Sequence, residues 1–206
     1  MKIDKAHSDD VREAVPSAPK YGYPVSYWTR GLLRPYAGPS SRPWLLYDAI
    51  DLQLYTRSSD GDRVEVVRTD GLREFSVGDS LLGSRRTYRR YLNARLADPT
   101  LRTAFFEVRY DLGGSALLCQ RNILVMDPHT LQNVRKGTTR APARIIYFLK
   151  IADNNTLTPV ALREDAVFAA LGTAHKAELA AYARLKRLKL DRENDVITLL
   201  AYLDTL

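Results

Sequence analysis

The 206 residues carry 31 Lys and Arg against 24 Asp and Glu, a formal net charge of +7, with 45% apolar and 27% charged side chains. That length buries a sizeable core in one domain, or in a domain with a small appendage, and the charge balance favours an acidic partner such as nucleic acid, anionic lipid headgroups or a polyanionic envelope polymer. No run approaches the roughly 20 apolar residues of a membrane-spanning helix, and the one cysteine, Cys119, excludes an internal disulfide and a Cys-based metal cluster.

The N-terminal MKIDKAHSDDVREAVPSAPK has charge near Met1 but no apolar core of about 7 to 15 residues, so it does not read as a secretory signal. The expectation is a cytoplasmic protein, or a periplasmic or cell-envelope protein whose leader has been removed. Through residue 43, Pro16, Pro19, Pro24, Pro35, Pro39 and Pro43 deny the chain ladder donors and helix bonds, which predicts an extended lead-in. Its Tyr21, Tyr23, Tyr27, Trp28 and Tyr36 either form a platform for sugars or bases, or pin the segment onto a sheet.

From Trp44 the pattern becomes that of strands. Ile50, Leu52 and Leu54 alternate with Asp51, Gln53 and Tyr55, predicting one strand with an apolar face. The turn residues 58–62 lead to RVEVVR (Arg63–Arg68), and Asp70-Gly71 leads to LREFSV (Leu72–Val77), an antiparallel meander. Arg85, Arg86, Arg89, Arg90 and Arg95 follow, with Tyr88 and Tyr91 between them; arginine forks with interleaved aromatics can grip a phosphate backbone, or line a solvated face.

Residues 101–126, LRTAFFEVRYDLGGSALLCQRNILVM, form the most strand-like stretch and predict a central hairpin about Gly113-Gly114. Strict alternation places Phe106, Val108 and Tyr110 on one face and Phe105, Glu107 and Arg109 on the other. Cys119 reads as a packed strand residue. The segment Asp127–Pro142 predicts a polar, basic loop, carrying Arg135, Lys136 and Arg140, and is a candidate partner contact. RIIYFLKI (Arg144–Ile151) is apolar on both sides, as in a strand covered on both faces. Thr158–Leu162 continues the sheet. Helical periodicity then predicts Asp165–Leu171 stopped by Gly172, a helix from His175 to about Lys189 capped by Thr173, and a last helix capped by Asp191 with Val196, Leu199, Leu200 and Leu203 along its buried face.

His7, His129 and His175 are far apart in sequence and none has a ligand at metal-binding spacing; His129, in the polar loop, is the one histidine with a candidate role. Neither a phosphate-cradling Gly-rich loop nor a Gly-x-Ser-x-Gly elbow is present. Asp48, Asp51 and Glu107 lie on predicted strands and would have to be brought together to act as acid and base.

The order LREFSVGD, TAFFEV, a Gly-Gly turn, SALLCQR, IIYFLK, and then DAVFAALGTAHKAELAAYARLKRLKL with ENDVITLLAYLDTL resembles a group of small envelope-associated proteins of Bacteroidota over Trp44 to Leu206, the tail being its most specific part. The resemblance implies a β-rich body with a helical C-terminus, export in the usual member, and no catalytic residues to carry over. This chain departs from the group in its N-terminus and in having Cys119 where a basic residue is expected.

The combined expectation is an α+β fold, a mainly antiparallel curved sheet or meander followed by a C-terminal cap of about three helices, organised as a lead-in over 1–43, a β-rich body over 44–162 and the cap over 163–206. The expected function is that of a non-catalytic binding or structural module of the bacterial envelope, with no cofactor and no metal, whose partner is an acidic envelope polymer or protein. The alternative is a cytoplasmic nucleic-acid-associated protein gripping phosphates through Arg85, Arg86, Arg89, Arg90, Arg135, Lys136 and Arg140.

Overall fold

The computed structural model describes residues 28–48, 52–58, 63–78, 85–123, 128–135, 143–151 and 155–206. The chain divides into two compact units, one formed by residues 1–88 with 121–144 and the other by 89–120 with 145–206. The fold is α+β, with mainly antiparallel strands and a C-terminal helical cap.

In the first unit, β1 (Thr29–Arg30), β3 (Trp44–Asp48), β4 (Gln53–Arg57) and β5 (Val64–Val66) form a four-stranded sheet in that order. β2 (Leu32–Pro35), β6 (Leu72–Val77) and β7 (Arg86–Arg89) lie side by side in the second sheet. Part of the proline-rich lead-in is therefore regular strand: Thr29 and Arg30 pair with β3, and Leu32, Leu33 and Arg34 have partners on β6 despite the neighbouring Pro35. The expected single strand through Ile50 to Leu54 is instead a hairpin: β3 ends at Asp48, and Leu52 sits at φ 54° with 66% of its surface exposed. An aromatic triad joins the two sheets of this unit, Phe75 stacking on Tyr88 at 4.8 Å and Tyr47 lying 5.1 Å and 4.8 Å from them. Gly31 is required by close approach, since a β-carbon there would meet the Leu45 side chain and the Ser76 carbonyl oxygen.

In the second unit the strand order is β9 (Phe106–Tyr110), β10 (Ala116–Ile123), β11 (Ala143–Lys150), β12 (Thr156–Val160) and β8 (Arg95–Leu96), with β8 parallel to β12. Both faces are covered, as the doubly apolar sequence of β11 requires. One face carries Phe106, Leu118, Phe148 and Leu157 under Tyr91, Ala94 and Leu101 from the segment before β9. The other carries Tyr110, Leu117, Leu149 and Val160 under the helices.

The central hairpin is where expected, but Leu117 pairs with Tyr110 while Leu118 pairs with Val108, so Arg109 is an extra residue in β9. A bulge of this kind re-aims the side chains beyond it. Tyr110 therefore leaves the face of Phe106 and Val108 and packs among the helices, correcting the alternation read from the sequence.

The expected 127–142 loop contains a helix, α1 (Pro128–Arg135). The cap is α2 (Glu164–Leu171), α3 (Lys176–Leu185) and α4 (Glu193–Leu203). α2 ends at Gly172 as expected, but the glycine adopts φ 81° and ψ −165°, a positive-φ extended conformation and not the left-handed helical one. α3 is shorter than its apolar periodicity predicts, and neither Thr173 nor Asp191 supplies a side-chain cap; His175 and Arg192 occupy the capping positions. Val196, Leu199 and Leu200 are fully buried, and Tyr182 stacks on Tyr202 at 3.9 Å to lock α3 against α4.

Candidate functional site

The arginines singled out from the sequence have different fates. Arg85 is exposed, and Arg86 and Arg89 lie on β7. Arg89 donates to Asp111, which also accepts from the Tyr91 hydroxyl at 2.8 Å. Burial, and after it the Asp111 charge, raises the Tyr91 pKa, so the phenol stays a donor. Arg90 donates from Nε to the Thr103 carbonyl at 2.7 Å and lies 4.1 Å from the Phe105 ring centroid. Arg135 ends α1, whereas Lys136 and Arg140 lie outside the described residues. His129 is exposed, with Nδ1 3.3 Å from Asn133 Nδ2. Asp48 belongs to the first unit, Glu107 to the second, and Asp51 lies outside the described residues.

The bulge on β9 builds a charge network against the cap. Arg109 donates from Nη1 to Glu107 at 2.6 Å, and from Nε and Nη2 to one oxygen of Glu193 at 2.8 and 2.5 Å. The other Glu193 oxygen accepts from the Tyr147 hydroxyl at 2.9 Å. Glu107 is 2% exposed and faces Cys119 across the ladder. Burial works against charge on Arg109, but its hydrogen bond to Glu193 and the two carboxylates more than reverse this and raise its pKa. Burial, followed by the Glu193 hydrogen bond, pushes the Tyr147 phenol up to about 12. At the hairpin tip, Asp204 accepts from the Tyr110 hydroxyl at 2.7 Å and the Ser115 backbone N–H at 2.9 Å. These acids tie the cap to the sheet, and both oxygens of Glu193 and of Asp204 are engaged.

A different arrangement stands on the four-stranded sheet. Arg30 is opposite Trp44, and Trp44 is opposite Arg57, so the three side chains project from one face. Trp28 precedes Arg30 by two residues and shares its side. The Arg57 guanidinium lies 5.2 Å from the Trp28 ring centroid and 5.0 Å from that of Trp44, and Arg30 lies 4.9 Å from Trp44. Each such contact is worth about 0.5–2 kcal/mol, depending on desolvation. Arg30 also donates to the Arg42 carbonyl at 3.1 Å. Arg57 makes no side-chain hydrogen bond among the described residues, so none of these engages its N–H edge between the indoles. Trp28 stands out in the sequence as part of an aromatic lead-in, whereas Trp44 and Arg57 carry no such local mark. The usable signal is a Trp-x-Arg pair matching a Trp and an Arg at opposite ends of a hairpin.

On the same unit, Leu33, Pro35, Tyr36, Pro39, Val67 and Leu72 line an open groove of about 390 Å³. Among the described residues, no three His, Cys, Asp or Glu side chains are grouped to hold a metal ion, and no helix is long and apolar enough to cross a membrane. Comparison with known proteins finds no matching family model, no matching curated protein and no matching solved structure.

Proposed function

We propose that this chain is a non-catalytic binding module whose contact surface is the row Trp28, Arg57, Trp44 and Arg30, and whose ligand is a carboxylate-bearing polymer of the bacterial envelope. The observation that carries the reading is the Arg57 guanidinium flanked by two indoles with its N–H edge unused among the described residues. A planar fork held by flanking aromatic groups loses little entropy on receiving a carboxylate, and its bidentate geometry favours that group. The indole faces are taken up by the guanidinium groups and serve to hold the fork in place. The net charge of +7 draws a polyanion towards the surface. The envelope setting rests on the sequence resemblance alone.

The test is titration of the full chain with a polyuronate and with single-stranded and duplex oligonucleotides. Polyuronate binding that falls at least about tenfold in Arg57→Gln, roughly the 1.5–3 kcal/mol of a charge-assisted hydrogen bond, supports the reading. Polyuronate binding indifferent to that substitution overturns it. Oligonucleotide binding that weakens steeply between about 50 and 200 mM salt, and is lost when Arg85, Arg86, Arg89 and Arg90 are replaced, would establish the phosphate-gripping alternative instead.

A further inference from the structure

The helical cap carries a second basic surface, independent of the Trp and Arg row. Arg184, Lys186, Arg187, Lys189 and Arg192 lie within nine residues that hold a single acid, Asp191, and all six side chains are exposed. None of the five cations forms an ion pair among the described residues; Arg184 donates only to the Ala180 carbonyl of its own helix, at 3.2 Å. Of the neighbouring acids, Asp195 is turned to the Lys189 backbone N–H at 2.8 Å, and Glu178 to His175 at 2.7 Å.

Two further features mark this turn. Leu185 is 77% exposed between Arg184 and Lys186, whereas Leu190 is buried in the core of the same unit and Leu188 packs against it. Arg187 has φ 53°, and the Leu188 N–H donates to the Ala183 carbonyl at 2.9 Å. That bond closes the helix in the pattern whose left-handed position is usually glycine. A cation suits the negative end of the helix, yet a side chain there strains the backbone, and strain retained where glycine would relieve it points to use.

Cations without ion-pair partners among the described residues, flanking in sequence a large apolar side chain held in water, match a surface that meets anionic headgroups and the acyl boundary together. A nucleic-acid backbone would satisfy the cations and leave Leu185 in water. We propose that the 184–192 turn docks the chain on an anionic phospholipid surface, with the five cations at the headgroups and Leu185 entering the acyl boundary.

The experiment is co-sedimentation of the full chain with phosphatidylcholine vesicles, with and without phosphatidylglycerol. Binding is expected only to the anionic vesicles and weakens with salt. The triple substitution Lys186→Gln, Arg187→Gln and Lys189→Gln lowers partition about a hundredfold, at about fivefold per cation. Leu185→Ser lowers it about tenfold without changing the salt dependence, since it removes an apolar contribution. Arg187→Gly lowers it about fivefold while thermal unfolding stays level or rises, which separates lost binding from lost folding. No partition onto anionic vesicles at low salt overturns the proposal, as does full partition by Leu185→Ser. Equal binding to an oligonucleotide, lost with the same cations, overturns it too and assigns the turn to phosphate backbones.

Discussion

Arg109 is the extra residue in β9, and its position decides the polar chemistry of the second unit. Its guanidinium neutralises Glu107, which is 2% exposed, and reaches Glu193 at the start of α4. Arg109→Met removes that cation and leaves a buried carboxylate without it, so a loss of about 3 kcal/mol is expected in denaturant unfolding, at the low end for a buried pair because Arg109 is itself part-exposed. Adding Glu107→Gln should restore a large part of it; a double variant as unstable as the single one would show that Glu107 does not need Arg109. The tyrosines give a pH signature. Tyr110 and Tyr147 are both pushed up to about 12, first by burial and then by their carboxylate partners. The fold therefore favours the neutral phenols. Their contribution is fully present below the unfolded value near 10 and is lost as pH rises through about 12. Phenolate absorbance on alkaline titration should show these two groups ionising late, and Tyr147→Phe should move part of the alkaline unfolding out of that window.

At the scale of elements, two glycines test how closely neighbouring segments approach. A β-carbon on Gly31 would meet the Ser76 carbonyl, a backbone atom that cannot swing aside. Gly31→Ala is expected to cost about 2–3 kcal/mol, measured as a lower denaturant midpoint. On Gly113 the obstruction is the Asp204 side chain, with its β-carbon at 2.7 Å. Asp204→Ala should cost about 2 kcal/mol through the Tyr110 and Ser115 hydrogen bonds, and Gly113→Ala should cost clearly less on that background than alone. Additive costs would mean that the two residues do not touch. Much of this architecture was legible in the sequence: the strands LREFSV, FEVRY and RIIYFLK, the Gly172 stop and the buried stripe of α4 all follow local periodicity or one backbone preference. What was not legible depended on partners remote in sequence. Nothing local marks Arg109 as a bulge, because the extra residue exists only relative to Leu117 and Leu118. The hairpin between Asp48 and Gln53 was hidden by alternation that runs through the turn. The Trp and Arg row joins residues up to 29 apart, from Trp28 to Arg57, and becomes visible only when register is known.

At the scale of the whole chain, the division into two units sets an expectation for unfolding. The Arg109 network, the Asp204 ties and the helical cap all belong to the second unit. Arg109→Met and Asp204→Ala should therefore lower the midpoint of helix loss in far-ultraviolet circular dichroism more than that of any signal from the first unit. Coincident shifts in both signals would show the chain unfolding as one cooperative body. The charge is likewise divided between uses: Arg30 and Arg57 stack with indoles in the first unit, while the 184–192 turn of the second presents cations to solvent. The composition also separates the two optically. The chain has two tryptophans, Trp28 and Trp44, and both flank Arg57. Indole emission is thus a built-in reporter of the proposed ligand surface, quenched or shifted by whatever settles on Arg57. The second unit, free of tryptophan, remains dark to that excitation. A change in that emission therefore reports on the Arg57 surface and is not expected from the proposed docking of the 184–192 turn.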